Sequence, residues 1–534
     1  LEVFPEIIER GLHSRLESVL RDGVVEVLAP AFHHYLIRIP TTQGASFFDA
    51  MQQHVTISPL RYQAGVSGIV ITIEDVTARF VRERQLVEQL KSHDEAVRLR
   101  AAKRLADPTH DPTPLLGALA DTSWQVRRLA AAGIAEQGSD QIVQHLIQTI
   151  RDKHDNLALL NATLTALAQT RHDVLPSLLP LLKSPEANVR MYTALALGQL
   201  KDARATQPLL ELLDDPDANV RYHVIEALGR IRARAANDPL LDIVRSRDPF
   251  LSFAALDAIA LIGAPSSIDD VLALLDDELL AEAAIDASAL LGTEKAVAPL
   301  LRALRNGAPA ARVCYALSAI YHRLEHAYGE GALVAHLVRR EIDTTDLERI
   351  VGALPRATDS ELSAGAEVLG WLQQAGLESV LARLLAHPAA RAAARDALVN
   401  RGSHALPALS EMLVHEDSEV RKAAALGIGQ IGAADGVPVL VQLLSDTAPE
   451  VVIAAALALA SIGSDAAFDP LVQLLAHSDA AVRSAVVSAI NSIGHADTEK
   501  VVCKLVESSD SNIRESAVKI AGYFGFQGCF EQVL

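Results

Sequence analysis

Cysteine is nearly absent. Cys314, Cys503 and Cys529 are the only three in 534 residues. Three scattered thiols make neither a disulfide framework nor a metal-ligand set, and unpaired thiols point to a reducing cytosol, so a cytoplasmic location is expected. Aromatic residues are also scarce, at 4%, although the chain is 50% hydrophobic. The core must therefore come from Ala, Leu and Val, which suits closely stacked helices. No signal peptide is visible. The longest apolar run, Val451 to Ile462, includes Ser461 and stops at Gly463. That is too short to span a bilayer, so no membrane span is expected. Walker loops, Gly-x-Gly-x-x-Gly, Gly-x-Ser-x-Gly and paired Cys-x-x-Cys motifs are missing. No catalytic residue is assigned, and the chain is not read as an enzyme. Positive charge is short as well: 48 Lys and Arg stand against 67 Asp and Glu, for a net charge of −19. No nucleic-acid partner is expected, because such binding rests on cations that neutralise phosphates.

What the chain has in abundance is repetition. Arg190 recurs as Arg221, Gly198 as Gly229 and Pro208 as Pro239, each a step of 31 residues. Downstream the same step leads from Val420 through Val451 and Val482 to Ile513. A fixed period of this size means stacked supersecondary units. In each clear repeat an acid precedes an arginine by four positions, as in Asp94/Arg98, Glu186/Arg190, Asp217/Arg221, Asp417/Arg421, Asp479/Arg483 and Asp510/Arg514. The acid suits a helix start, where free N–H groups and the helix dipole favour negative charge. An apolar stripe follows, such as Val220, Val224, Ala227, Leu228 and Ile231, at offsets that share one helix face. Glycine then closes the helix, as at Gly432, Gly463 and Gly494. A shorter helix with proline near its start completes the pair, as in Pro208 to Leu213 or Pro470 to Leu475. The expectation is a mainly α protein with about fourteen such pairs between residue 92 and the end.

This pattern resembles the HEAT repeat family, especially the bacterial HEAT-like repeats also found in phycobilin lyases. The resemblance implies a right-handed α-solenoid with the Pro-Leu-Leu helices on the convex side and the arginine-bearing helices on the concave side. Repetition makes Arg98, Arg190, Arg221, Arg421, Arg483 and Arg514 a structural ladder rather than a ligand site. Some HEAT-like hydroxylases bind two irons through His-Glu pairs at matching positions. Here those positions read Met191-Tyr192, Tyr222-His223, Lys422-Ala423 and Ser484-Ala485, and His415-Glu416 falls at a turn. A bilin lyase or a chromophore-binding protein using the concave face remains the alternative function.

The first ninety residues are of another kind. Phe4 to Leu28 reads as helix, with Gly23 ending its main part. Phe32 to Ile39, Gln52 to Leu60 and Val66 to Asp75 read as strands, the last with Ile69, Ile71 and Ile73 on one face. Arg79 to Lys91 reads as a charged helix. The run Gly68 to Arg79, ending Asp75-Val76-Thr77-Ala78-Arg79, resembles the last strand of a PAS domain and its junction with the output helix. The resemblance covers the second half of that fold. It implies that Asp75, Thr77 and Arg79 sit where a sensor hands over to its output, and that the segment dimerises. Haem-binding members use a histidine on the long helix, which would be His13. No cofactor is expected. No cysteine lies in this segment to hold a flavin.

The rhythm breaks once, between Arg312 and Thr358, through Tyr321, His322, His326 and Tyr328. Insertions in a solenoid emerge as loops or lengthened helices and often serve binding, so these four are the candidate partner-binding residues. His322 and His326 share a helix face but make an incomplete metal site. The chain thus divides into a partial PAS-like segment (1–77), a connecting helix (78–91), a first array (92–306), an irregular repeat (307–357) and a second array (358–534). Both ends read as cut, with further segments expected outside them. The leading function is a signalling or scaffold protein that couples a PAS-like module to a protein-binding solenoid.

Overall fold

In the computed structural model, residues 6–29, 35–40, 48–62, 65–152, 156–248 and 250–530 are described. The chain forms two compact units, Leu1–Ile231 and Arg232–Leu534. Both are mainly helical.

The first unit begins with α1 (Glu6–Glu9), α2 (His13–Asp22), β1 (Glu26–Leu28), β2 (Gln53–Tyr62) and β3 (Gly65–Asp75). The strands form one antiparallel sheet in the order β1-β2-β3. Val55 pairs with Ile73 and Ile57 with Ile71. Alternation sets the buried face: Val55 and Ile57 are fully buried, and they close a small core with Val19, Leu28 and Leu36. Ile69 and Ile73 pack against it, whereas Ile71 stays exposed.

Two sequence expectations need correction here. The helix expected to run from Phe4 to Leu28 is broken at Gly11 and ends at Asp22. Gly11 and Gly23 both take left-handed backbone, with φ of 70° and 67°, and that conformation stops a helix. Beyond Gly23, Glu26 to Leu28 join the sheet opposite Val55 to Ile57. The strand expected at Phe32–Ile39 is not a strand over Tyr35–Ile39, where only Pro40 bridges to Ala50. Phe32, His33 and His34 lie outside the described residues.

Helix α3 (Thr77–Gln89) leaves the sheet and packs on the first array helix, Glu95–Leu105. From there the longer helix of each repeat opens at Glu95, Trp124, Leu157, Ala187 and Ala218 in the first unit. In the second unit it opens at Leu251, Ala281, Ala310, Asp359, Arg391, Ser418, Pro449, Ala480 and Ser511. Within each unit successive long helices pack side by side, as Ser418–Ile431, Pro449–Ile462 and Ala480–Ile493 do. This neighbour-to-neighbour stacking is the α-solenoid order.

Local chemistry explains the periodic elements. The carboxylates of Asp94, Asp417, Asp479 and Asp510 accept N–H groups of the first helical turn. Gly432, Gly463 and Gly494 close their helices at φ of 72°, 70° and 64°. Among the described residues no helix is long and apolar enough to cross a membrane.

The irregular interval holds no long loop. It contains the 19-residue helix Ala310–Tyr328, then Gly331–Glu341, and an additional helix, Thr344–Ala353. Asp343 and Asp346 form a capping box that starts this extra helix. Asp346 is fully buried, and its carboxylate takes Nη2 of Arg305 at 2.7 Å. Arg349 donates to the carbonyls of Leu304 and Arg305 at 2.6 Å. The insertion is therefore tied into the stack through the end of the preceding helix.

The cysteine reading is also corrected. Cys503 and Cys529 form a disulfide with their Cα atoms 4.8 Å apart. They lie 26 residues apart in sequence, close to one repeat length, and stacking brings Thr498–Val506 against Gln527–Phe530. Cys314 alone is free; burial, then the Glu361 charge, pushes its thiol up to about 12. The cysteines therefore give no ground for a reducing compartment.

Candidate functional site

The periodic arginines occupy one recurring geometry. Nη1 of Arg98, Arg190, Arg221, Arg421, Arg483 and Arg514 donates to the carbonyls six and five residues upstream, in the turn before its own helix. Arg483 comes within 3.9 Å of Glu515 on the next long helix, and three others hold an aspartate of the next repeat in a two-bond fork. Arg98 holds Asp121 at 2.8 and 3.0 Å, Arg190 holds Asp215 at 2.7 and 2.9 Å, and Arg421 holds Asp446 at 2.8 Å in both contacts. These forks are the strong, two-bond kind. Each aspartate accepts a backbone N–H as well, from Ser123, Asp217 and Ala448 respectively. Burial alone pushes Asp121 and Asp215 up, but their arginines and the N–H bonds reverse this and hold both below the usual carboxylate range. For Asp446 the Arg421 hydrogen bond is the leading cause of the same lowering.

Sequence inspection pairs each arginine with the acid four positions before it. The structure gives that acid to the helix cap and brings in Asp121, Asp215 and Asp446 instead. The signal was present: Asp215 and Asp446 each lie 25 residues after their arginine.

At the sheet-to-array junction, Thr77 donates its hydroxyl to Asp75 at 2.6 Å and accepts the N–H of Gln52 at 2.8 Å. Asp75 also accepts the N–H of Thr77. Arg79 donates to the carbonyl of Thr109 at 2.8 Å, and Glu83 accepts the N–H of Asp111 at 3.0 Å. These contacts fix α3 to the sheet at one end and to the loop of the first repeat along its length. His13 lies at the start of α2, 3.7 Å from Glu17 and partly exposed.

In the irregular repeat, Tyr321 lies over Trp371 with ring centroids 5.0 Å apart. His322 Nε2 is 3.0 Å from Glu367, which also accepts the Ser318 hydroxyl at 2.5 Å. His326 and Tyr328 are exposed and do not join this group. Among the described residues, no three His, Cys, Asp or Glu side chains gather as a metal site would need.

Sequence inspection also missed an acidic face centred on Asp286. Asp257 on Leu251–Ile262, Glu282 on Ala281–Leu291 and Glu361 on Asp359–Trp371 each lie within electrostatic reach of Asp286, which also stands on Ala281–Leu291. Partial desolvation, followed by the charge of Asp286, pushes Asp257 up. Asp286 is likewise raised by desolvation, with Glu282 and Glu361 adding to it and Arg312 opposing. Arg312 reaches Glu282 at 2.9 Å and Asp286 at 3.4 Å. Exposed Phe253 and Tyr315 share these helix faces, one turn from Asp257 and Arg312. Neighbours of this type sit far apart in sequence, and only the stack assembles them.

A sequence model described as HEAT repeats matches residues 158–217, 206–282, 406–491 and 468–527. No curated protein matches the sequence. Among solved structures, the chain is similar to the karyopherin Kap121p bound to the extreme C-terminus of the protein phosphatase Cdc14p, at 15% identity and a TM-score of 0.45, covering 84% of this chain and 62% of that one. It thus spans less than two thirds of that karyopherin chain. Similarity to Kap95p in its RanGDP structure is 12% identity and a TM-score of 0.45, over 84% of this chain and 74% of that one. An engineered protein matches at 20% identity and a TM-score of 0.26, over 83% of this chain and 98% of that one.

Proposed function

We propose that the chain is a protein-binding scaffold whose second unit receives a basic segment of its partner. The observation that carries this reading is the acidic face of Asp257, Glu282, Asp286 and Glu361, set beside exposed Phe253 and Tyr315 and opposed by Arg312. Asp257 and Asp286, both raised by partial desolvation and then by neighbouring carboxylates, favour a cation that relieves them. Aromatic neighbours add the cation–π and apolar contacts of a protein interface.

The N-terminal segment completes the proposal as a regulating module. The Asp75–Thr77 contacts and the reach of Arg79 and Glu83 to the first repeat support coupling of a PAS-like sensor to the array, with dimerisation through that segment. Light scattering of the whole chain, with and without residues 1–76, reads the dimer directly. A monomer in both cases removes that part.

Binding of a fluorescent arginine-rich peptide to the whole chain tests the main proposal. Tight binding that weakens about tenfold in the triple variant Asp257→Asn, Asp286→Asn, Glu361→Gln is expected, in line with the loss of charge-assisted contacts. Equal binding by the variant would end the proposal.

A further inference from the structure

A second charged surface, of opposite sign, lies in the first unit. Arg79, Arg82, Gln85, Leu86 and Gln89 on α3 face Arg100 and Arg104 on Glu95–Leu105 across a cavity of about 650 Å³ closed by Thr109 and His110. No carboxylate lines it. Lys103 joins Arg100, Arg104 and His110 around an adjoining cavity of about 380 Å³, where Asp107, whose carboxylate takes Thr109, is the one acid in the lining. This concentration of cations stands out in a chain of net charge −19.

The cations have unspent capacity. Arg79 commits one N–H to Thr109 and Arg82 one to Ala78. Among the described residues, no ion pair is recorded for Arg79, Arg82, Arg100, Lys103 or Arg104. Arg100 and Arg104 are four apart on one helix, a spacing at which like charges destabilise it. The Nδ1 atom of His110 is buried with no hydrogen-bond partner.

We infer that this cavity binds a small ligand carrying two or more linked phosphate groups. Two pairs of guanidinium forks on facing helices offer bidentate donors at two places, which one carboxylate cannot fill and a chain of phosphates can. The cavity volume lies in the range of small-molecule sites. Gln85 and Gln89 supply neutral donors and acceptors for whatever the phosphates carry. The ligand would tie α3 to the first repeat at the junction where the sheet meets the array, and so set the angle at which one enters the other.

Calorimetric titration of the whole chain with tripolyphosphate, ATP and hexaglutamate, at low and physiological salt, tests this. Tripolyphosphate is expected to bind with an affinity that falls as salt rises. The double variant Arg100→Gln, Arg104→Gln is expected to bind at least about tenfold more weakly. Its circular dichroism should be unchanged and its melting temperature no lower, because both side chains are exposed, carry no ion pair and repel each other. ATP binding more tightly than tripolyphosphate would support a nucleotide as the source of the phosphates; equal binding would support the phosphate chain alone. No binding at millimolar concentration, equal binding by the variant, or hexaglutamate binding as tightly as tripolyphosphate would each overturn the inference.

Discussion

At the scale of residues, the arginine–aspartate forks and the acidic face carry opposite consequences for stability. Asp215 and Asp446 are held below the usual carboxylate range by their arginines. A carboxyl of that kind binds fewer protons folded than unfolded, so it stabilises the fold above the unfolded pKa. That contribution is lost as pH falls below about 4 and through the lowered folded value. Asp446→Asn keeps the oxygen that takes the Ala448 N–H but removes the charge facing Arg421. It is expected to destabilise by about 1–3 kcal/mol at pH 7 in denaturant melts, and by less in acid. Asp286 behaves in reverse, because its raised carboxyl is disfavoured when charged. Asp286→Asn should raise the melting temperature at pH 7, with the gain vanishing below about pH 4. A gain that persisted in acid would show that charge is not its cause. The periodic arginines were legible in the sequence because they recur. Their aspartate partners were not, because each repeat also carries a nearer acid, such as Asp217, whose job is to cap the helix.

At the scale of elements, helix contacts decide what a glycine is for. A Cβ on Gly429 would lie 2.6 Å from the Cα of Ala458, and one on Gly198 would lie 2.8 Å from the Cα of Ala227. Both glycines let successive long helices approach backbone to backbone. Gly522 sits inside Ser511–Phe524 with open space around it. Gly429→Ala should therefore cost about 1–3 kcal/mol by overpacking. Gly522→Ala should add about 0.5–1 kcal/mol through helix propensity alone. Thermal melts of the two variants should move in opposite directions. The disulfide belongs to this scale too. It closes a loop of 26 residues around the last repeat, and a loop of that length is worth roughly 3.5 kcal/mol. Reduction, or Cys503→Ser, should raise hydrogen exchange in Thr498–Val506 and Ser511–Phe524 while leaving the first unit unchanged. Helices of the array were legible from caps, apolar stripes and closing glycines. The disulfide was hidden because spacing alone does not reveal which helices stack. The N-terminal helix was overextended because Val24, Val25, Val27 and Leu28 are apolar and suit either conformation, and only pairing with β2 makes Glu26–Leu28 a strand.

At the scale of the whole molecule, repetition told the fold class and concealed the sites. The residues singled out by rhythm are structural in geometry, while the acidic face of the second unit and the basic cavity of the first draw on side chains that no period marks. The sequence pointed to function where the rhythm fails, at the Asp75–Arg79 junction and in the irregular repeat, and the latter led to Tyr321, His322 and, through the stack, Glu367. The central claim is that the acidic face is the partner site. Hydrogen exchange of the whole chain, measured with and without an arginine-rich peptide, tests it most directly. The account predicts protection concentrated in Leu251–Ile262, Ala281–Leu291, Ala310–Tyr328 and Asp359–Trp371. Protection spread evenly over the acidic surface, or centred outside these helices, would contradict it.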